Sequence, residues 1–242
     1  MPSNTLLKKA GLFLLLLAAI NPSVAQESTR KIKLSKAYFS WGYNRSAYAP
    51  STISIDGDGF NLKIEDVEAN DAPEQFDPAI YLNPLKFTIP QFDFRVGVKV
   101  NNKFYLSLGW DHLKYKMVNK AYKVTGFVAD SLSKVYGGTY DGSVVDVPSS
   151  FYYHEHTDGL NYIHLSLDYP ITLYNTKNNF LKLELNPEFG TGPVAPWTDA
   201  YTFSRSHRTP SIHFAGWGVN LGLKPRLFLF NEHLYFQGNF RL

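Results

Sequence analysis

The sequence predicts an all-β fold: an antiparallel up-and-down transmembrane β-barrel of about eight strands, with the last one missing from the series. Three observations predict it. Segments close to the ~9–11 residues that cross a bilayer as a tilted strand alternate apolar and polar residues with a period of two. The connections between them alternate between short turns and long loops. Aromatic residues make up 16% of the chain, which favours strands over helices, and beyond Gln26 no apolar run approaches the ~20 residues of a spanning helix.

The chain opens "MPSNTLLKKAGLFLLLLAAINPSVAQES". Lys8 and Lys9 form a basic start, Ala10 to Ile20 an apolar centre, and Ser23-Val24-Ala25 a small-residue site ahead of Gln26. That shape predicts a secretory signal peptide over 1–25, with 26–242 as the mature barrel domain. Removal of Lys8 and Lys9 leaves 22 basic and 21 acidic residues, and no basic cluster with interleaved aromatics speaks for nucleic acid. With no cysteine, an exported fold must be held by its sheet.

The first strand is "AYFSWGYNR", with Phe39, Trp41 and Tyr43 opposite Ser40, Gly42 and Asn44. "QFDFRVGVKVNNKFYLSLGW" is a hairpin about Asn101-Asn102. Its apolar face carries Phe92, Phe94, Val96, Val98, Val100, Phe104, Leu106, Leu108 and Trp110, and its polar face Asp93, Arg95, Lys99, Tyr105 and Ser107. The fourth strand, "LNYIHLSLDY", sets Ile163, Leu165, Leu167 and Tyr169 against Tyr162, His164, Ser166 and Asp168. The fifth, "FLKLELNPEF", sets Leu181, Leu183 and Leu185 against Lys182, Glu184 and Asn186. The sixth places Ala215, Trp217, Val219, Leu221 and Leu223 opposite Asn220, Lys224 and several glycines. The last, "HLYFQGNFRL", sets Leu234, Phe236, Phe240 and Leu242 against Tyr235, Gln237, Asn239 and Arg241.

Strands two and three are joined by about two residues, four and five by roughly ten, and six and seven by about three, while long loops span 45–90, 116–159 and 190–211. Sorting of turns to one end and loops to the other is a membrane-barrel pattern, which a soluble sandwich has no reason to adopt. Phe39, Trp41, Phe94, Val96, Leu106, Leu108, Leu165, Leu183, Trp217 and Phe236 are therefore expected to face lipid. Asp93, Arg95, Lys99, Asp111, Asp168, Lys182, Glu184, Lys224 and Arg241 are expected in the lumen, where mixed charges pair and glycines make room. Trp41, Tyr43, Phe92, Trp110, Tyr169, Phe180 and Phe240 sit near strand ends, as interfacial girdles do.

Signal, strands, loop sorting and lumen chemistry together resemble the small outer-membrane barrels of the OmpA transmembrane-domain or OmpX type. "SWGYNR", "LNPLKFTIPQFDFRVG" and "LSLGWDHLKY" are similar to an uncharacterised outer-membrane barrel group common in Bacteroidota. The resemblance implies no catalytic motif. It does imply a final strand ending in an aromatic residue, whereas this chain reads "FQGNFRL". Single-chain bacterial barrels use even strand numbers, so seven strands predict that one is lacking, or that "GSVVDVPSSFYY" supplies the eighth.

Two constellations are candidates for chemistry. His164-x-Ser166 resembles the pair of outer-membrane lipid A deacylases, with Glu184 or Glu188 as the carboxylate that would orient the imidazole. Those enzymes present the pair to lipid, whereas the alternation here puts it in a packed polar lumen. His154 and His156 in "YYHEHTD" fall on one face of an extended segment, half of a zinc or copper site, with a solvated loop tip as the alternative. "DGDG" reads as a hairpin above the membrane, and the loop 45–90 carries eight acids and three bases. No cofactor is expected.

The function expected is that of a non-enzymatic envelope barrel of the bacterial outer membrane, structural or acting in recognition or adhesion through its loops. The alternatives are a small-solute pore and a deacylase-like hydrolase using His164 and Ser166. Expected partners are outer-membrane lipids and lipopolysaccharide, the barrel assembly machinery and an extracellular ligand.

Overall fold

The computed structural model describes residues 32–86, 89–203 and 211–242, so the signal-like stretch and part of the loop 190–211 lie outside the described residues. From Leu34 to Leu242 the chain is built of antiparallel β-strands. In order these are β1 (Leu34–Gly42), β2 (Ser51–Gly57), β3 (Phe60–Val67), β4 (Ala69–Asp71), β5 (Phe92–Val100), β6 (Phe104–Met117), β7 (Ala121–Val128) and β8 (Gly138–Asp146). There follow β9 (Tyr152–Asp168), β10 (Ile171–Asn175), β11 (Leu181–Thr202), β12 (Ser211–Ile212), β13 (Gly216–Leu229), β14 (Leu234–Gln237) and β15 (Phe240–Arg241). One short helix, α1 (Pro78–Tyr81), and a 3-10 turn at Pro84–Lys86 lie between β4 and β5.

The main sheet runs β1-β5-β6-β9-β11-β13-β14 and curls into a half-barrel whose neighbours follow chain order. Two of its staves are broken by proline. β9 and β10 continue one register along β11, Asp168 facing Glu188 and Ile171 facing Leu185, with the gap where Pro170 and Pro187 lack amide donors. β14 and β15 likewise share one register on β13, interrupted opposite Pro225.

Because β10 belongs to the fourth stave, the connection to the fifth is the turn Thr176–Phe180, five residues where about ten were expected. It joins Asn101–Lys103 and Phe230–His233 at one end of the sheet. Asn101 and Asn102 both adopt positive φ, 50° and 56°, as a two-residue hairpin turn requires.

At the other end the long connections are shorter than the alternation suggested. β6 runs on to Met117, β9 starts at Tyr152 and β11 reaches Thr202, so much of 116–159 and 190–211 is strand. The remainder folds into a second sheet, β2-β3-β7-β8. The β2–β3 hairpin turns at Gly59 (φ 81°), as "DGDG" predicts. "GSVVDVPSSFYY" does not supply an eighth stave: its first half is the end of β8, paired with β7, and its last two residues begin β9.

The two sheets bury opposite chemistries. Beneath the small sheet lies an apolar core of Leu62, Ile64, Val67, Met117, Tyr122, Val124, Val147, Phe151 and Tyr152. In the main sheet the polar face is buried and the apolar face is bare: Arg95, Asp168 and Lys224 are 0% exposed, whereas Leu108, Leu165 and Leu221 are 56%, 54% and 63% exposed. Arg95 and Leu108 sit in adjacent strands of that sheet, so the contrast is one of face and not of position.

The edges β1 and β14 run in the same direction, since seven staves alternate between them. Among the described residues no backbone ladder joins these edges. Side chains span the seam instead, with Tyr235 Oη donating to the Phe39 carbonyl at 3.2 Å and Lys36 Nζ 2.5 Å from Glu232.

Candidate functional site

The period-two alternation of β5, β6, β9, β11 and β13 sends one carboxylate, cation or hydroxyl after another to the concave face. Four cations and four carboxylates meet there. Arg95 lies 3.1 Å from Asp93, 3.7 Å from Asp111 and 3.3 Å from Glu188. Lys224 bridges Asp168 at 2.9 Å and Glu188 at 2.5 Å. Arg226 reaches Asp168 at 2.7 Å, and Arg241 reaches Asp93 at 2.7 Å and also pairs with Asp111. The eight formal charges cancel, which is what makes their joint burial tolerable.

Around the ions aromatic faces and amides supply further partners. Arg226 is enclosed by the rings of Tyr105, Tyr38 and Tyr235, at 4.9, 5.2 and 5.7 Å. Asn220 donates to Glu188 at 3.1 Å and accepts from Tyr162 at 2.9 Å. Glycine supplies the space: a Cβ on Gly109 would stand 2.4 Å from the His164 imidazole, and one on Gly97 would stand 2.4 Å from the Tyr38 ring. A second ion group at the turn end links Lys182 to Glu184 at 2.5 Å and to Glu232 at 3.0 Å, with Lys99 over the Tyr105 ring at 5.2 Å.

All nine residues expected in the lumen lie on this concave face, buried or half-buried. The ten expected to face lipid lie on the convex face; Phe94 and Leu183 are half-buried, Phe94 packing edge-on against Phe39 and Trp41. Among the girdle aromatics Phe92 departs from expectation. It is 0% exposed, stacked between Trp41 at 4.8 Å and His112 at 5.0 Å with Trp110 edge-on at 5.0 Å, so rings of the neighbouring strands enclose it.

His164 and Ser166 come together, with Nδ1 to Oγ at 2.7 Å. The carboxylate beside the imidazole is neither glutamate named from sequence: Nε2 faces Asp111 at 3.4 Å. Glu184 is engaged with Lys182, and Glu188 instead accepts the Ser166 hydroxyl proton at 2.8 Å. A nucleophilic serine must hand its proton to the imidazole and receive a carbonyl carbon. Here the proton points at Glu188 and both side chains are 1% exposed, so the trio links two ion pairs and offers an ester no path of approach.

Alternation also places on this face two residues that were not among the nine expected in the lumen, although Glu188 was considered as a partner of His164. Glu188 and Arg226 are in phase with Lys182 and Lys224, but each lies just beyond a proline, Pro187 and Pro225, where the pattern was cut short. Carrying the period through both prolines finds them.

His154 and His156 sit in β9 beyond the apolar band, their Nε2 atoms 3.2 Å apart. Among the described residues no group of three or more metal-ligating side chains is assembled. Tyr152 Oη lies 2.7 Å from His154 Nδ1, and Tyr115 packs on both rings at 5.8 and 5.3 Å. Burial pushes both imidazoles down to about 4, with His213 lowering both further and His154 adding to the effect on His156. The folded state thus holds them neutral while an unfolded chain begins to protonate near 6.5, so their contribution is complete above that value and is lost as pH falls through 4. Relative to intrinsic amide rates, hydrogen exchange across 152–158 should therefore lose protection between pH 6.5 and 4, and a His154→Phe/His156→Phe variant should abolish that loss of protection.

The acids of the first long connection are partly neutralised within the small sheet. Glu65 meets Lys63 at 2.7 Å and Lys123 at 3.0 Å, and those hydrogen bonds hold its carboxyl below the usual range. Comparison of the chain with protein-family models, curated proteins and solved structures found no match.

Proposed function

We propose that this protein is a transmembrane β-barrel of the bacterial outer membrane, similar to the OmpA transmembrane-domain and OmpX type, that acts without catalysis as an envelope component or a surface recognition module. One observation carries the reading. The main sheet buries its charges and bares its leucines, an arrangement that water penalises and a hydrocarbon solvent favours. In water this face would expose a contiguous band of large apolar side chains across every stave of the sheet, the kind of patch that marks a membrane or protein contact.

In lipid the β1 and β14 edges cannot stay open, because unpaired backbone groups in hydrocarbon each cost several kcal/mol. Antiparallel closure needs one strand between them running opposite to both, which brings the barrel to the even count of eight. The filled ion-pair interior supports a plugged scaffold more than a pore. What remains for function is the small sheet and its loops at the far end, a rigid platform bearing exposed charge and suited to an extracellular ligand or to neighbouring lipopolysaccharide. Outer-membrane lipids and the barrel assembly machinery are the partners this reading requires.

Fractionation of cells that express the chain should recover it with the outer membrane, and protease added to intact cells should cut within 129–137, where Leu132 and Val135 are exposed, while leaving the staves whole. Recovery in a soluble fraction, or protection of that loop until the cells are opened, would overturn the reading.

A further inference from the structure

We propose that the segment from Glu74 to Lys86, which contains α1 and the 3-10 turn, is an interfacial anchor that seats its apolar side chains at the outer lipid–water boundary. The inference rests on the barrel reading and adds a contact to it. Phe76, Leu82 and Leu85 are 74%, 76% and 90% exposed within ten residues of chain. Glu74, Asp77 and Lys86 are the segment's only charges.

Its backbone is arranged as a weakly polar environment demands. Asp77 caps Ala79 through its side chain at 2.8 Å and accepts the Ile80 and Tyr81 amides through its carbonyl at 2.9 and 2.8 Å. Asn83 Oδ1 accepts the Leu85 amide at 3.0 Å, and Tyr81 Oη donates to the Glu74 carbonyl at 2.8 Å. Polar groups are thus satisfied locally while large apolar side chains point away from the protein. In water that combination costs free energy; at a lipid boundary it lowers it.

Position selects lipid as the occupant. Tyr43, on the convex face in phase with Phe39 and Trp41, donates to the Tyr81 carbonyl and packs on its ring at 4.9 Å. Phe76 also packs on the Tyr81 ring, with centroids 5.2 Å apart. The exposed patch is therefore continuous with the apolar band at its aromatic rim, the level at which Tyr and Trp sit in membranes.

The chain has no cysteine, so single labels are clean. Leu85→Cys and Leu82→Cys, nitroxide-labelled in the protein folded into phospholipid vesicles, should be more accessible to oxygen than to a water-soluble nickel chelate. Leu221→Cys on the convex face should give the same sign at greater depth, and Ser131→Cys at a loop tip the opposite sign. If the Leu85 and Leu82 labels behave like Ser131 while Leu221 stays in lipid, the anchor is wrong and the barrel stands. Labels immobilised and shielded from both quenchers would mean that protein, a second copy or another chain, covers the patch, and would equally overturn the proposal. An aqueous Leu221 label would instead sink the barrel reading itself.

Discussion

Asp168→Ala is expected to destabilise the folded protein by about 3–5 kcal/mol, the usual cost of removing one partner from a buried ion group. Asp168 is 0% exposed and accepts from Lys224 at 2.9 Å and from Arg226 at 2.7 Å. Without it Arg226 keeps only its Gln237 contact and its three tyrosine faces, and Lys224 must share Glu188 with Arg95. Two cations then remain in a dry interior with too little negative charge. Urea titration of the protein in lipid vesicles, followed by tryptophan emission, measures the loss. A change below about 1 kcal/mol, the typical worth of a solvated pair, would mean that water reaches the network and that the interior is not packed as described.

Leu165→Arg should cost about 2–4 kcal/mol in vesicles, the penalty for a cation near the bilayer midplane on the lipid face of a barrel. Leu165 is the central member of the exposed set Ile163, Leu165 and Leu167 on β9, and the same register places Leu108 beside it on β6. On a face bathed by water the same substitution would change stability by no more than about 0.5 kcal/mol. The two solvents thus predict results several-fold apart in the same titration. A neutral outcome at Leu165 with a large one at Asp168 would describe a water-soluble sheet with a charged core.

Much of the main sheet was legible because alternation is a local property. Phe39-Trp41, Val96-Val98 and Leu165-Leu167 each declare a face without reference to any other strand, and the seven staves follow. Of the small sheet only the β2–β3 hairpin was legible, through its "DGDG" turn. β3 pairs with β7 across the whole β5–β6 hairpin, and Phe60 to Val67 carries no mark of that distant partner. The upper half of β9 escaped for a different reason: the register on β11 slips between Pro196 and Asp199, near Gly159 at φ 129°, and the slip breaks the period a reader follows.

The candidate chemistry divides along the same line. Period alone assigned His164, Ser166, Asp168, Lys182 and Glu184 to one side of the sheet, and the structure has them there. Which carboxylate meets which donor depends on strand register and on curl, neither of which is carried by the alternation within a single strand. Hence Asp111, from β6, faces His164, while Glu188 takes the Ser166 proton and Glu184 is drawn to Lys182 at the other end.

By itself the sequence determined that the chain is antiparallel β, where its main turns fall and which residues share a face, because side-chain direction in a strand is set by residue parity. Only the tertiary structure decided how the ions pair and that the long connections build a sheet of their own, because those outcomes depend on contacts between residues far apart in the chain.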